Sequence, residues 1–170
     1  SSEQKMDKGH PESLLSNLVA EVLRQAATKV QDKPADMGLV NMGGLRNILP
    51  AGDITVGTVY EILPFENSLT SIASLKGEGV SGIRMEITKE GKLLNPTVGG
   101  QPIDDNKLYT VATIDYLADG NGSMEAFLQA DDRVCPEGAT LRGLFLDYVR
   151  QQTAAGKKIT SALDGRITVK

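Results

Sequence analysis

Apolar residues recur along "PESLLSNLVAEVLRQAATKV" at Leu14, Leu15, Leu18, Val19, Val22, Leu23 and Ala26. This three-and-four spacing lays a single stripe down an amphipathic helix. The acidic Glu12 near the start and the break at Pro34 bound it. "GLVNM" is short and apolar enough for a buried strand, and it ends on the glycine pair of "NMGGLR", Asn41 to Arg46. In "NILPAGDITVGTVYEILPFENSL" the "PAGD" reads as a turn. Ile54, Val56, Val59, Ile62 and Leu63 fit either a short helix or an extended segment, and Pro64 breaks whatever precedes Phe65.

Further along, "SGIRMEITKEGKLL" alternates, with Ile83, Met85 and Ile87 on one face and Arg84, Glu86 and Thr88 on the other; "KEGK" is its expected hairpin turn. "KLYTVATIDYLADG" is β-branched and aromatic and reads as another strand. Helical spacing returns over residues 140–150, at Leu141, Leu144, Phe145, Tyr148 and Val149, with Thr140 as the expected cap, and "GRITV" closes the chain as a strand. There are no internal repeats. The pattern predicts an α+β fold: a single domain with a mixed β-sheet and packed helices, spanning 12–170 behind a polar leader over 1–11.

Composition narrows the chemistry. The 170 residues carry a formal net charge of −4, which gives no global pull toward a nucleic-acid polymer or an anionic membrane, though a small anion can still meet a local arginine. No apolar run is long enough for a membrane span. The first residues, "SSEQKMDKGH", hold no signal-peptide core, and one cysteine, Cys135, forms no internal disulfide, so cysteine usage leaves the compartment open.

With one histidine, His10, in the leader, a Ser-His-Asp or Cys-His device has no imidazole to use, and a zinc or two-metal hydrolase site lacks its ligands. His10 reads as solvated and Cys135 as structural. The pairs Asp104-Asp105 and Asp131-Asp132 read as solvated turns rather than an acid and base, and "ADGNGS" is neither a phosphate loop nor a dinucleotide fingerprint.

What is left suits binding. Arg46 offers a planar fork of donors for phosphate or carboxylate, Asn41 and Asn67 offer amides, and Phe65 and Tyr116 offer flat faces among only 3 Phe and 4 Tyr. Taken alone, the two rings fit core packing as well as an aromatic clamp.

The motifs "PESLLSNLVAEVL", "NMGGLRNILPAGDIT", "VYEILPFENSL", "GVSGIRMEI" and "LYTVATIDYLADG" together resemble the C-terminal domain of the 5'-nucleotidase family, in order and approximate spacing, from about Glu12 to Ile167. That resemblance implies an exported, periplasmic or cell-surface protein. It also implies a nucleotide-binding role beside a separate metallophosphatase domain or chain, which holds the divalent metals and attacking water. No metal or other cofactor is then expected in this chain, and no catalysis by it alone.

By position, Phe65 and Tyr116 look like the two aromatics that sandwich the base, and Arg46 like the phosphate-binding arginine. Asn41 and Asn67 look like substrate contacts, and Gly43 and Gly44 like the glycines that allow close approach. Tyr116 stands where Phe is commoner. Relatives then carry Gly-Gly-Asp-Gly with a ribose-binding Asp, where "ADGNGS" has Asn121 and Gly122. Relatives often have arginines before the first helix, where this chain has Lys8, Gly9 and Pro11. They also pass through a glycine and a helix where it runs quickly through "SIASLKGE".

The expectation is therefore the nucleotide- or nucleoside-binding domain of a 5'-nucleotidase-type phosphohydrolase. The thin phosphate and ribose contacts keep open a non-catalytic module for nucleosides or nucleotide sugars, and behind that a scaffold for protein contacts only.

Overall fold

Helix α1, Leu14–Gln31, buries Leu15, Leu18, Val19, Val22 and Leu23 of the stripe that the spacing laid out, together with Ala27, while Leu14 and Ala26 are half-buried at its edges. The Ser13 hydroxyl accepts a hydrogen bond from the Ser16 N–H at 3.1 Å and serves one of the orphan donors of the first turn. Residues 1–31, 33–67, 69–71, 79–90, 92–130 and 132–170 are described by the computed structural model. Asp131 of the Asp131-Asp132 pair, Gly91 of the expected "KEGK" turn and residues 72–78 of "SIASLKGE" lie outside them.

Strand β1, Met37–Val40, follows and is buried along its whole length, as befits a central strand covered on both faces. Helix α2, Val56–Ile62, resolves the ambiguous stretch. Thr55 and Thr58 form a reciprocal capping box that starts a helix, and the helix buries Val59 and Ile62. The remaining strands are β2, Leu69–Ser71, β3, Gly79–Ser81, β4, Ile83–Ile87, β5, Leu93–Val98, β6, Gln101–Pro102, β7, Val111–Ile114, and β8, Ile167–Val169. Helix α3, Asp115–Ala118, follows β7 directly. Helix α4, Leu141–Ala154, begins at Thr140, whose hydroxyl accepts from the Gly143 N–H at 3.1 Å.

The α+β fold with mixed pairing is the one found, with the strands divided into two four-stranded sheets among the described residues, ordered β2-β7-β1-β3 and β6-β5-β4-β8. In the first, β1 runs parallel to β7 and antiparallel to β3; in the second, β4 runs parallel to β8 and antiparallel to β5. The single residue between β3 and β4, Gly82 at φ 77°, is where the chain leaves one sheet for the other. Helix α1 lies across β1, β3 and β7, and α4 packs on α1 and α2.

Two expectations need correction. The strand expected over 107–120 is strand only at Val111–Ile114. Beyond it the Asp115 carboxylate takes the Tyr116 N–H at 2.8 Å and turns the chain into α3, which lets Leu117 and Ala118 reach the core. The segment 1–11, expected as a polar leader outside the domain, pairs with it. Met6 is fully buried and exchanges both backbone hydrogen bonds with Leu49, and Ser2 does the same with Gly52. His10 is exposed.

Acid stability has a defined source in this packing. Burial pushes the Glu21 carboxyl up, but hydrogen bonds from Arg24, Ser81 and Gln25 outweigh it and leave its pKa below the ordinary value. Hydrogen bonding to Arg166 lowers that of Asp164. A depressed folded-state pKa contributes stability that is present above the unfolded pKa and lost as pH falls through the folded one. The melting temperature of Glu21→Gln is therefore expected to lie below that of the parent at neutral pH and to converge with it in acid. A constant gap across the titration would remove Glu21 from the acid limb.

Candidate functional site

Three segments meet at one end of the first sheet. The first is the turn after β1. Asn41 is extended, at φ −74° and ψ 131°, and Met42–Gly44 form a single 3-10 turn closed by Gly44 N–H to Asn41 O at 3.1 Å. Leu45 is fully buried and anchors the turn in the core. The Arg46 N–H then bonds Ile62 O at 2.9 Å, which ties the turn to the end of α2. A Cβ at Gly44 would lie 2.7 Å from Asn41 Oδ1, so the absence of a side chain is what lets the Asn41 amide fold over the turn. Asn41 Oδ1 is buried with no donor among the described residues.

The second segment is the loop that α2 runs into. Phe65 is 45% exposed, and the Arg46 guanidinium carbon stands 5.2 Å from its ring centroid, within cation–π range. Among the described residues that guanidinium makes no ion pair. The Lys8 ammonium donates to Leu45 O at 3.0 Å, which brings a second cation to the same turn.

The third segment begins where β7 ends. Strands β2 and β7 pair antiparallel with Leu69 opposite Ile114, which sets Asn67 and Tyr116 at the same end of the pair. Asp115 Oδ1 closes the junction, accepting from Asn67 Nδ2 at 3.1 Å and from the Tyr116 N–H at 2.8 Å. Tyr116 is 44% exposed. Neither ring is a core ring, unlike Phe127 and Phe145, which are 1% and 0% exposed. Asn121 folds back on Tyr116, donating from Nδ2 and from its backbone N–H to Tyr116 O at 2.9 and 3.3 Å. Gly122, at φ 68°, carries the loop onward and is exposed.

A guanidinium without a carboxylate partner among the described residues, beside one exposed ring and with a second exposed ring on the neighbouring strand end, can take a flat ligand with an anionic tail. The structure thus joins Asn41, Gly43, Gly44 and Arg46 to Phe65, and ties the loop of Phe65 and Asn67 to Tyr116. It commits the Asn121 amide to holding the Tyr116 turn. The described residues hold no group of three or more His, Cys, Asp or Glu placed to bind a metal ion, so no chemistry through a metal is assigned to them. Among the described residues, no helix is long and apolar enough to cross a membrane.

The profile of the family described as "5'-nucleotidase, C-terminal domain" matches residues 2–83 and 76–129. This chain belongs to that family. The two matched pieces overlap over residues 76–83, from the end of the "SIASLKGE" stretch into β4. Among curated relatives of this 5'-nucleotidase C-terminal domain, the "Silent protein UshA(0)" of Salmonella typhimurium is 30% identical over 112 residues, covering 55% of this chain and 20% of the relative. The "Cell wall protein Lmo0130" of Listeria monocytogenes is 26% identical over 188 residues, covering 91% of this chain and 23% of the relative. The crystal structure of a 5'-nucleotidase precursor from Thermus thermophilus superposes with a TM-score of 0.84 at 26% identity, over 99% of this chain and 38% of that one. The chain thus spans about a fifth of the length of each of these two curated relatives.

Two residues of this 5'-nucleotidase C-terminal domain escaped the sequence reading. Asp115, the joint between the aromatic segments, was hidden inside an apparent strand; an Asp directly after a β-branched run is the one available signal. Arg142, 8% exposed, lies against the Phe65 loop; its position on the buried side of α4 beside Leu141 and Phe145 was the clue. A cavity of about 570 Å³ lined by Val30, Lys107, Tyr109, Val111 and Ala130 opens at the opposite end of β7 from Tyr116 and contains none of the expected site residues.

Proposed function

We propose that this domain binds the nucleoside part of a nucleotide between Phe65 and Tyr116, with Arg46 on the phosphate. It would serve as the substrate-binding part of an exported 5'-nucleotidase-type phosphohydrolase whose metal centre lies in other residues. The observation that carries the reading is the Arg46 guanidinium, without an ion pair among the described residues, held 5.2 Å over the exposed Phe65 ring, since a paired arginine buried in a core would have no charge to offer an anion. Arg46 supplies the charge-assisted fork for the anion, and the two rings supply apolar faces for a base. Export is supported by the names of two relatives, a "cell wall protein" and a 5'-nucleotidase "precursor". The Haemophilus influenzae relative named "NAD 5'-nucleotidase", 30% identical over 129 residues, supports a nucleotide substrate.

Calorimetric titration of the purified chain with AMP and with adenosine tests this. AMP is expected to bind clearly more tightly, and Arg46→Gln to bring AMP to the level of adenosine. The chain alone is expected to release no phosphate from AMP with divalent metal added; release at an enzymatic rate, free of contaminating phosphatase, would overturn the assignment of the metal centre elsewhere. A second reading, a non-catalytic nucleoside or nucleotide-sugar module, draws on the Asn121 amide being engaged with Tyr116 O, which thins ribose recognition. Equal or tighter adenosine binding would favour it.

A further inference from the structure

We propose that Arg142 is the residue that positions the Phe65 ring, making the first turn of α4 the support of the binding loop. The inference rests on the nucleoside-binding reading for its consequence but not for its geometry. A guanidinium buried to this degree must find partners for its donors, and among the described residues the partners of Arg142 all lie within 60–66. Its Nη1 donates to Leu63 O at 3.4 Å and to Pro64 O at 3.1 Å, its Nη2 donates to Glu66 Oε1 at 2.8 Å, and its guanidinium carbon stands 4.2 Å from the Tyr60 ring centroid.

These contacts fall where the chain has least support of its own. Helix α2 ends at Ile62, Pro64 brings no N–H, and the carbonyls of Leu63 and Pro64 lie beyond the helix. Arg142 takes up both. Phe65 is the one residue between Pro64 and Glu66, so the same guanidinium grips the chain on each side of it. The neighbouring residue adds to the hold, because the Leu141 N–H donates to Asn67 O at 2.8 Å.

The Glu66 side chain is 79% exposed, and an ion pair so solvated contributes little alone. The carbonyl bonds and the Tyr60 contact are therefore the contacts that fix the loop, and the planar fork of arginine makes them together with the Glu66 bond, a geometry that the single ammonium of lysine does not reproduce. Phe65 is thereby presented outward to Arg46 instead of folding onto the core.

The chain has only 3 Phe, so labelling with 4-fluorophenylalanine yields a 19F signal for each. Phe127 and Phe145 report on the core, and the Phe65 signal is assigned by its response to Arg46→Gln. In Arg142→Lys and in Tyr60→Leu, the Phe65 resonance is expected to move and to lose that response while the two core signals stay in place, and the dissociation constant for AMP to rise about tenfold. Tyr60 is 49% exposed, so its variant keeps the test available should Arg142→Lys fail to fold.

A Phe65 signal unmoved in both variants would overturn the proposal. So would movement of all three signals together, which would make Arg142 a general strut of the core. If the parent chain binds neither AMP nor adenosine, the nucleoside reading falls, and the 19F comparison decides the positioning role by itself.

Discussion

Phe65→Ala is expected to remove about 1–3 kcal/mol of nucleoside binding, the range for one aromatic stacking contact with a base, while leaving the melting temperature near that of the parent. Phe145→Ala is expected to do the reverse, lowering stability by about 3–5 kcal/mol through lost burial and the cavity it leaves. The contrast follows from where the rings sit. Phe65 is 45% exposed and touches the Arg46 guanidinium; Phe145 is fully buried and packs near Tyr148, with ring centroids 6.4 Å apart. Tyr116→Ala should resemble Phe65→Ala, because its ring is 44% exposed and Asp115 holds its backbone independently of the ring. Calorimetry with adenosine and thermal melts on the three variants check all of this. Loss of stability with intact affinity in Phe65→Ala would return that ring to the core and end the clamp.

The second large effect is expected at Gly82, where Gly82→Ala should destabilise the domain by about 2–5 kcal/mol. Two penalties add there. The residue sits at φ 77°, a left-handed backbone that costs a residue with a Cβ roughly 1–2 kcal/mol. The added Cβ would stand 2.1 Å from Asp36 O, and overpacking against fixed atoms costs about 1–3 kcal/mol. The contact is with backbone, and the Asp36 carboxylate is itself held by the Thr110 N–H at 2.8 Å where β1 and β7 come together, so relief requires the chain to shift there. Gly99 supplies the control. It too has positive φ, 58°, but a Cβ there meets nothing within 4 Å among the described residues, so Gly99→Ala should carry the backbone penalty alone. Equal losses in urea denaturation of the two variants would show that the Asp36 contact plays no part.

What could be read in the sequence, and what could not, divides along physical lines. The stripe of α1 and the Thr140 cap of α4 are local regularities, visible because each is set by residues three or four apart. The division into two sheets at Gly82 was not visible, because the alternation in "SGIRMEI" belongs to β4 alone and nothing in it tells which strands β3 and β4 will pair with. The end of β7 was misread for a related reason: Tyr116 continues the aromatic and β-branched composition of the strand, and a single side-chain acceptor, that of Asp115, makes the turn. Met6 stands alone among polar residues, so no periodicity announces that it is buried.

The site divides in the same way. Arg46 and Phe65 carry motifs that resemblance could match, and their adjacency in the fold is a finding of the structure. Arg142 has no motif. In a helical repeat it reads as one more surface charge, and only the burial of Leu141 and Phe145 on either side of it tells otherwise.

The pairing of distant segments also bears on how the domain is made. Ser2 Oγ bonds Ile159 O across 157 residues, Thr110 N–H bonds Asp36 across 74, and the parallel partners of β1 and β4 are β7 and β8, which arrive much later in the chain. Loops of this size must close before either sheet rewards them, and topologies dominated by such contacts reach the native state in milliseconds to seconds rather than microseconds. On a ribosome, the Arg46 turn emerges before α4 and has to wait for it before its neighbouring loop gains Arg142. The binding face therefore matures only once α4 is in place, although Asn41, Arg46 and Phe65 all precede that helix in the chain.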